Sequence, residues 1–202
     1  MIRPFSRVFA LLIACLSMCE FAAAANIHFD RTTIDGISPG ERFTLEILGS
    51  DFTEGSAGGG LDLRWDASIL TISSLNDVEL RFPGDVFIFD KGRLDAAAGR
   101  LLNIATNSFN GVLDTSFPVA RITFTALAAG ASLLELETGT FSNELLNVWT
   151  NGSGEELADL SFDAAQVTVI GAIPLPAGLW LMPAALAVLG LRSRTIVRPA
   201  SA

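Results

Sequence analysis

The sequence predicts an all-β protein, an antiparallel two-sheet β-sandwich of the jelly-roll type, and three observations support this. Short runs in which apolar and polar residues alternate recur from Asn26 to Ile170, as in half-buried strands. Glycine, proline, asparagine and aspartate separate these runs at short intervals. No stretch of the same region shows the apolar period of an amphipathic helix. Many short strands at this spacing are typical of a two-sheet sandwich.

About eight or nine strands are predicted along this region. Residues 43–47 alternate Phe, Leu and Ile with polar residues, and residues 61–65 repeat the pattern and end on Trp65. The clearest strand is 120–126, in which apolar residues alternate with Arg and Thr. The other predicted strands are 69–75, 86–89, 101–106, 132–138 and 166–170. Turns are predicted at 38–40, 58–60, 83–85, 110–111 and 151–154.

Residues 1–25 have the layout of a secretory signal peptide. Arg3 and Arg7 precede an apolar run over 8–16, and four alanines follow at 22–25. The peptidase pockets at a cleavage site admit only small side chains, so the sequence predicts cutting after Ala24 or Ala25 by signal peptidase. The mature chain then starts near Asn26.

Two other interpretations of this N-terminal segment stay open. Residues 12–15, Leu-Ile-Ala-Cys, resemble a bacterial lipobox, which would place a lipid on Cys15. The residues after Cys15 stay apolar, however, where a lipoprotein usually has a polar tether. A buried helix over 8–25 is the other alternative, but Glu20 interrupts it and no amphipathic face is visible.

Charge and cysteine content restrict what the middle of the chain can do. Cys15 and Cys19 both lie in the signal segment, so cleavage leaves no disulfide and no thiol nucleophile. The region 26–172 holds 8 Lys and Arg against 21 Asp and Glu, a net charge of −13, whereas both ends are basic. By the positive-inside rule, both ends face the cytoplasm before processing and the acidic domain lies outside. Its negative charge and single histidine disfavour nucleic-acid binding.

The C-terminal region 171–202 has the features of a membrane-directed segment. The 22 residues from Ile170 to Leu191 carry no charge, and about 20 helical residues span a bilayer core. We therefore expect a transmembrane helix at about 178–191, anchored in the inner membrane, with Arg192 and Arg194 as the stop-transfer signal. An ordinary C-terminal anchor that is never cleaved is the alternative.

The residues before this helix carry a second resemblance. The motif consists of Ile173, Pro174, Leu175, Pro176 and Ala177. Together with the apolar run and the arginines, it resembles the Val-Pro-Leu-Pro-Ala variant of the PEP-CTERM sorting signal. The resemblance implies recognition by an exosortase, a membrane cysteine protease-transpeptidase of Gram-negative bacteria that make exopolysaccharide. Ile173 stands where valine is usual, and eight residues follow Arg194, a longer tail than usual.

The predicted sandwich, residues 26–170, is similar to a cohesin-type domain. The resemblance rests on Ser-Pro-Gly-Glu at 38–41, Leu-Asp-Leu-Arg-Trp-Asp-Ala-Ser-Ile-Leu at 61–70, and the strands at 118–126 and 130–136. It implies a jelly-roll sandwich related to carbohydrate-binding modules. It also implies a partner such as a dockerin-like module or a polysaccharide.

Few residues of the middle region suit catalysis or cofactor binding. His28 is its only histidine, so a catalytic triad or a histidine metal cluster is hard to build. Carboxylates remain, namely Asp62, Asp66, Asp85, Asp90 and Asp95, but at strand and turn positions acids are mostly solvated or cap turns. No catalytic residue, metal site or cofactor is predicted. Calcium at loop carboxylates near Asp30 and Asp35 is the nearest candidate, although no spacing fixes a site.

Aromatic residues give one further clue to a ligand. Trp65 alternates with two leucines and is predicted to be a core residue. Trp149 lies among polar turn residues and is a candidate ligand contact that could stack on a sugar ring, with core or edge packing as the alternative. The chain has no tyrosine, which weakens the case for a flat aromatic sugar platform.

These observations together predict an exported, non-enzymatic binding module. It would be sorted by an exosortase, held in the inner membrane before processing, and then placed at the cell surface or in the exopolysaccharide matrix. One alternative is a structural matrix protein without a discrete ligand. Another is a glycosidase that uses two carboxylates.

Overall fold

The computed structural model describes residues 24–141 and 146–171. These residues form a six-stranded and a seven-stranded β-sheet that share one core, which confirms the all-β two-sheet sandwich. The strands are β1 (Ala25–Phe29), β2 (Thr33–Ile37), β3 (Arg42–Ser50), β4 (Ser56–Arg64), β5 (Leu70–Thr71), β6 (Val78–Leu80), β7 (Val86–Asp90), β8 (Arg93–Asp95), β9 (Arg100–Val112), β10 (Phe117–Ala126), β11 (Gly130–Thr138), β12 (Leu160–Phe162) and β13 (Ala165–Val169). Single 3₁₀ turns occur at Leu75–Asp77 and Ala96–Ala98.

The sequence predicted antiparallel sheets, but each sheet also contains one parallel pair of strands. The six-stranded sheet has the order β12-β1-β3-β10-β5, with β6 also paired to β10. The seven-stranded sheet has the order β2-β13-β11-β4-β9-β7, with β8 also paired to β9. β1 pairs with β12 in parallel, and so does β13 with β2. Alternation along a sequence reports which side of a strand is buried but not its direction, so these two edge pairs could not be recognised.

The core is built from alternate residues of the strands in both sheets. In β10, the side chains of Ala120, Ile122 and Phe124 are fully buried while the residues between them are half-buried. The same alternation buries Leu61 and Leu63 of β4. All buried apolar residues of the described chain except Ala105 belong to one cluster. Residues 25–170 therefore contain a complete core, as an independently folding domain requires.

Two predicted turns lie inside strands. Residues 58–60, Gly-Gly-Gly, belong to β4, and Asn110 and Gly111 belong to β9. The glycines of β4 serve close packing: a Cβ added to Gly59 would lie 2.5 Å from Cγ of Trp149. Glycine in a strand often marks such an approach by another group, and here it does so rather than ending the strand.

The register of β3 and β10 defines the two ends of the sandwich. Arg42 pairs with Thr125 at one end, and Gly49 pairs with Phe117 at the other. β13 ends at the same end as Arg42. There Val169 pairs with Gly130, and the Ile170 amide donates to the Ile37 carbonyl at 2.8 Å. We call the end that contains Ile170 the exit pole.

Residues 171–202 form a unit separate from 1–170, and only Gly171 of it is described. The sorting motif 173–177, the predicted helix at about 178–191, Arg192 and Arg194 lie outside the described residues, as does most of the signal segment. Within the described ranges, no helix is long and apolar enough to cross a membrane.

Candidate docking surface

Two phenylalanine side chains are exposed together on the seven-stranded sheet. Phe87 of β7 is 49% exposed and Phe109 of β9 is 76% exposed. Their rings pack against each other with centroids 4.3 Å apart and an interplanar angle of 31°. We call this pair the aromatic patch. Contiguous exposed apolar side chains are a feature of interaction sites, so the aromatic patch is a candidate docking surface.

A β-bulge and a tight turn position the patch. Val86 pairs with Ser108 and Ile88 pairs with Asn107, so Phe87 is the extra residue of the bulge. A bulge reorients the side chain that it carries. The turn before β7 is fastened to β9, because the Phe109 amide donates to the Asp85 carbonyl at 3.3 Å and the Asn110 side chain donates to the Asp85 carboxylate at 3.2 Å.

Other exposed apolar side chains lie on the same sheet. The large apolar residues that are exposed within described strands all belong to it: Phe87 and Phe89 in β7, Phe109 in β9 and Leu133 in β11. Leu113, directly after β9, is also exposed. The exposed apolar side chains thus concentrate on one sheet and most strongly at its β7–β9 edge.

The centre of this sheet is closed by polar contacts. Asp62 of β4 is only 1% exposed, and its carboxylate accepts hydrogen bonds from the Asn103 amide at 2.6 Å and the Thr140 hydroxyl at 2.8 Å. Asn103 has a positive φ of 64°, in an irregularity of the β4–β9 register. A Cβ on Gly60 would collide with the Leu146 carbonyl, so the chain after β11 lies against this strand. The largest group of exposed apolar side chains on this face is therefore at its β7–β9 edge, with Leu133 exposed separately on β11.

The outer side of the six-stranded sheet has a different character. Arg121 of β10 forms an ion pair with Glu46 of β3, with its Nε 2.9 Å from the carboxylate, and a longer one of 3.7 Å with Glu79. The hydrogen bonds that the Arg121 guanidinium donates to the Glu46 carboxylate raise the pKa of Arg121 above its already high ordinary value. Arg42 likewise pairs with Asp77. Charged groups on this side are therefore already satisfied within the domain.

Trp149 is not the ligand contact that the sequence offered. Its side chain is 2% exposed, and its Nε1 donates to the Gly60 carbonyl at 3.0 Å. Its ring packs near Phe52 and Phe117, with centroids 5.9 and 6.5 Å away. The alternative of core packing is thus the observed one, because the glycines of β4 leave room for the indole. Trp65 is also buried, as expected, and donates to the Leu70 carbonyl.

The other predicted acids act in turns and networks. Asp66 accepts hydrogen bonds from the hydroxyl and the amide of Ser68, and these lower the pKa of its carboxyl. Asp90 accepts from the Gly92 amide, and Asp95 caps the turn at Ala96–Ala98. His28 lies 2.8 Å from the Phe29 carbonyl through Nδ1. These roles match the expectation of turn caps.

The described residues give no support to the calcium candidate. The Asp30 carboxylate accepts from the Glu46 amide at 3.0 Å and lies 3.3 Å from Arg31 Nε, while Asp35 is exposed on β2. Across the ranges 24–141 and 146–171, no group of three or more His, Cys, Asp or Glu is arranged to hold a metal ion.

The predicted cleavage point lies at the start of the fold. Ala24 is exposed, whereas Ala25 opens β1, is 7% exposed and pairs with Leu160 of β12. Its carbonyl also accepts a hydrogen bond from the Ser161 hydroxyl at 3.3 Å. Ala25 is therefore the first residue of the core.

The sequence analysis recognised the strand at 86–89 but not its exposed side chains. A signal was present, since Val-Phe-Ile-Phe is apolar at every position. A strand that is apolar on both sides is either buried on both or lies at an edge with one side open. β7 lies at the end of its sheet in the described fold, which leaves Phe87 and Phe89 exposed.

Comparison with known proteins supports the fold but assigns no family. No protein-family model matches the sequence, and no curated protein sequence matches it significantly. Among solved structures, the seventh ScaB type I cohesin of Pseudobacteroides cellulosolvens has 16% identity and a TM-score of 0.52, covering 76% of this chain and 96% of its own. The third ScaC cohesin of Acetivibrio cellulolyticus, solved in complex with the ScaB dockerin, has 10% identity and a TM-score of 0.51, covering 72% and 99%.

A type II cohesin domain from the cellulosome of Acetivibrio cellulolyticus has 21% identity and a TM-score of 0.50, covering 71% of this chain and 94% of its own. Identities this low show a shared fold. The chain therefore has a cohesin-like β-sandwich.

Proposed function

We propose that this protein is an exported, non-enzymatic binding module that docks a dockerin-like protein through the outer face of its seven-stranded sheet. The observation that carries the proposal is the aromatic patch, two exposed phenylalanines whose rings pack against each other on that face. Aromatic side chains are enriched among the residues that contribute most binding free energy at protein interfaces.

The cohesin-like fold favours a protein partner over a polysaccharide. One of the similar solved structures, the third ScaC cohesin of Acetivibrio cellulolyticus, is in complex with the ScaB dockerin, and this chain shares its sandwich. The polysaccharide alternative loses its one candidate aromatic contact, because the Trp149 ring is buried. The glycosidase alternative needs two acids beside an open cleft, but Asp62 is buried beneath the Thr140 contact and Asp66 caps a turn. A protein-binding role therefore fits best.

Export and sorting are part of the same proposal. Residues 1–24 act as a signal peptide, and cutting falls after Ala24, because cutting after Ala25 would remove a buried residue of β1. Residues 171–202 act as an exosortase substrate through the motif 173–177, with a transmembrane helix at about 178–191. The protein is then held in the inner membrane before processing and released to the cell surface or matrix.

The docking surface is tested by paired substitutions in the 25–170 body. We expect F87S/F109S to weaken capture of purified dockerin modules from the same bacterium by about 1,000-fold, since two hot-spot side chains contribute about 2 kcal/mol each and about 1.4 kcal/mol is tenfold in affinity. Leu127→Ser is the matched control, because Leu127 is equally exposed at 48% but follows β10 of the other sheet. Circular dichroism verifies that both variants fold.

Two outcomes would contradict the docking proposal. Equal capture by F87S/F109S and the unchanged protein would place the interface elsewhere. Retention of no dockerin module and no envelope protein would favour the alternative of a structural matrix component without a discrete ligand.

The processing proposal is tested by intact mass and terminal sequencing of protein recovered from the envelope and the medium. We expect an N-terminus at Ala25 and, in the released form, a C-terminus near Pro176 or Ala177. A chain that retains 191–202 everywhere would show a permanent anchor, and a lipid on Cys15 would show a lipoprotein signal.

A further inference from the structure

The aromatic patch borders an end of the sandwich where every charged residue is acidic. Four segments meet there, opposite the exit pole: 51–55, 83–85, 110–116 and 151–159. They carry seven exposed carboxylates and neither lysine nor arginine: Asp51, Glu54, Asp85, Asp114, Glu155, Glu156 and Asp159. We call this end the acidic pole.

Hydrogen bonds join these segments into one surface next to the patch. The Phe52 amide donates to the Thr115 carbonyl at 3.1 Å, and the Gly152 amide donates to the Glu54 carbonyl at 3.1 Å. The Asn151 side chain donates to the Glu54 carboxylate at 2.7 Å. Asp85 connects the pole to the patch, because it is fastened to Phe109 and Asn110 and lies two residues before Phe87.

The acids of this pole are not neutralised by the domain itself. The ion pairs within the described ranges use Asp30, Glu46, Asp77, Glu79 and Glu137, and none uses an acid of the acidic pole. Near the exit pole, by contrast, Asp30 and Arg31 lie 3.3 Å apart. Seven carboxylates with no ion-pair partner in the described ranges produce a negative potential on one surface. This potential attracts cations and repels anionic partners within about 10 Å at 0.1 M salt.

We infer that the partner of the docking surface is a cationic protein segment, in which apolar side chains cover Phe87 and Phe109 while flanking Lys or Arg face the acidic pole. The inference rests on the proposed function and names the chemistry of its partner. Complementary charge around an apolar contact speeds association and excludes partners of the wrong sign. Anionic polysaccharide is such a partner and is repelled.

Three synthetic amphipathic peptides test the inference against the 25–170 body. The first has an apolar face and a lysine face, the second has the same apolar face and a glutamate face, and the third keeps the lysines but replaces the apolar face with serine. We expect only the first to bind at 0.05 M salt, with an affinity that falls about tenfold or more by 0.5 M as screening shortens to a few ångströms.

Substitutions assign that binding to the two parts of the surface. D114N/E156Q removes two exposed acids of the pole and spares Asp85, which positions the patch. It should weaken the first peptide about tenfold at low salt and change nothing at high salt, because only screened charge is removed. The matched control E41Q/D163N removes two exposed acids that lie beside β3 and β12 of the other sheet, away from the pole, and should leave the affinity within about twofold. F87S/F109S should abolish binding at both salt concentrations.

The outcomes separate this inference from the docking proposal. Equal binding of the lysine and glutamate peptides, or an affinity independent of salt, would overturn the cationic partner and leave the aromatic patch in place. Binding of the serine–lysine peptide that survives F87S/F109S would overturn the patch as the docking surface. Capture of a dockerin module that depends on Phe87 and Phe109 but not on salt would also refute the cationic partner.

Discussion

The two outer faces of the sandwich differ in whether their prominent side chains already have polar partners within the domain. On the six-stranded sheet, Arg121 and Arg42 pair with acids on neighbouring elements, and Thr44 and Thr123 form a cross-strand hydrogen bond of 3.1 Å. On the seven-stranded sheet, Phe87 and Phe109 contact each other and solvent. Ion pairs already made within a domain must be broken before they can serve a partner, whereas an exposed apolar pair gains free energy when it is covered. The seven-stranded sheet also carries one ion pair, Arg64 with Glu137, so the exposed aromatic pair is the difference on which the docking proposal rests.

The largest expected effect comes from comparing the same substitution, phenylalanine to alanine, in the core and in the aromatic patch. Phe124→Ala in the core should lower the free energy of unfolding by about 3–5 kcal/mol, because it removes a fully buried ring and leaves a cavity. Phe109→Ala should change it by less than about 0.5 kcal/mol, since that ring is already exposed. Urea unfolding monitored by tryptophan fluorescence measures both. A cost of several kcal/mol for Phe109→Ala would show that the patch is structural.

The closed centre of the seven-stranded sheet should depend on Asp62. Asp62→Ala leaves the Asn103 amide and the Thr140 hydroxyl without their acceptor, at a cost of about 1–3 kcal/mol. Asp62→Asn, which keeps an acceptor oxygen, is the milder variant and should cost less. Thermal unfolding of the two variants compares them. If both match the unchanged protein, Asp62 does not hold this region together.

The charged face should tolerate change. Arg121→Met retains the apolar stem but removes the pairs with Glu46 and Glu79, and exposed pairs contribute at most about 1 kcal/mol. We expect a small fall in unfolding free energy and no effect on partner capture. Loss of capture by this variant would reverse the assignment of the faces.

The smallest expected effect concerns pH. The pKa of the Asp66 carboxyl is lowered in the folded state by Ser68, so its contribution to stability is present above the unfolded value of about 4 and is lost as the pH falls through the folded value. Asp66→Ala should therefore differ most from the unchanged protein near neutral pH. The two melting temperatures should converge below about pH 4. A difference that grows on acidification would contradict the lowered pKa.

Local patterns were sufficient to predict the strands that alternate cleanly. Residues 43–47 lie in β3, 61–64 in β4 and 120–126 in β10, and Trp65, directly after β4, is buried as its spacing indicated. The irregular strands were harder, because β9 contains a positive-φ Asn103 and a glycine near its end. Residues 69–75 contain only the two-residue β5, since the chain turns into the 3₁₀ segment Leu75–Asp77.

The candidate site was the least predictable part. Whether Trp149 is inside or outside depends on the space above Gly59, which belongs to a strand about ninety residues away in sequence. The exposure of Phe87 depends on a bulge set by pairing with β9. Both are consequences of long-range packing, and no local pattern of apolar and polar residues encodes them.

The position of Ile170 determines how far an attachment after it lies from the docking surface. A strand of nine residues such as β3 extends about 30 Å from one pole to the other. A tether attached after Ile170 would hold residues 25–170 at the exit pole, which lies opposite Asp85 and the acidic pole. The aromatic patch, which borders the opposite pole, then lies about one strand length from that point of attachment.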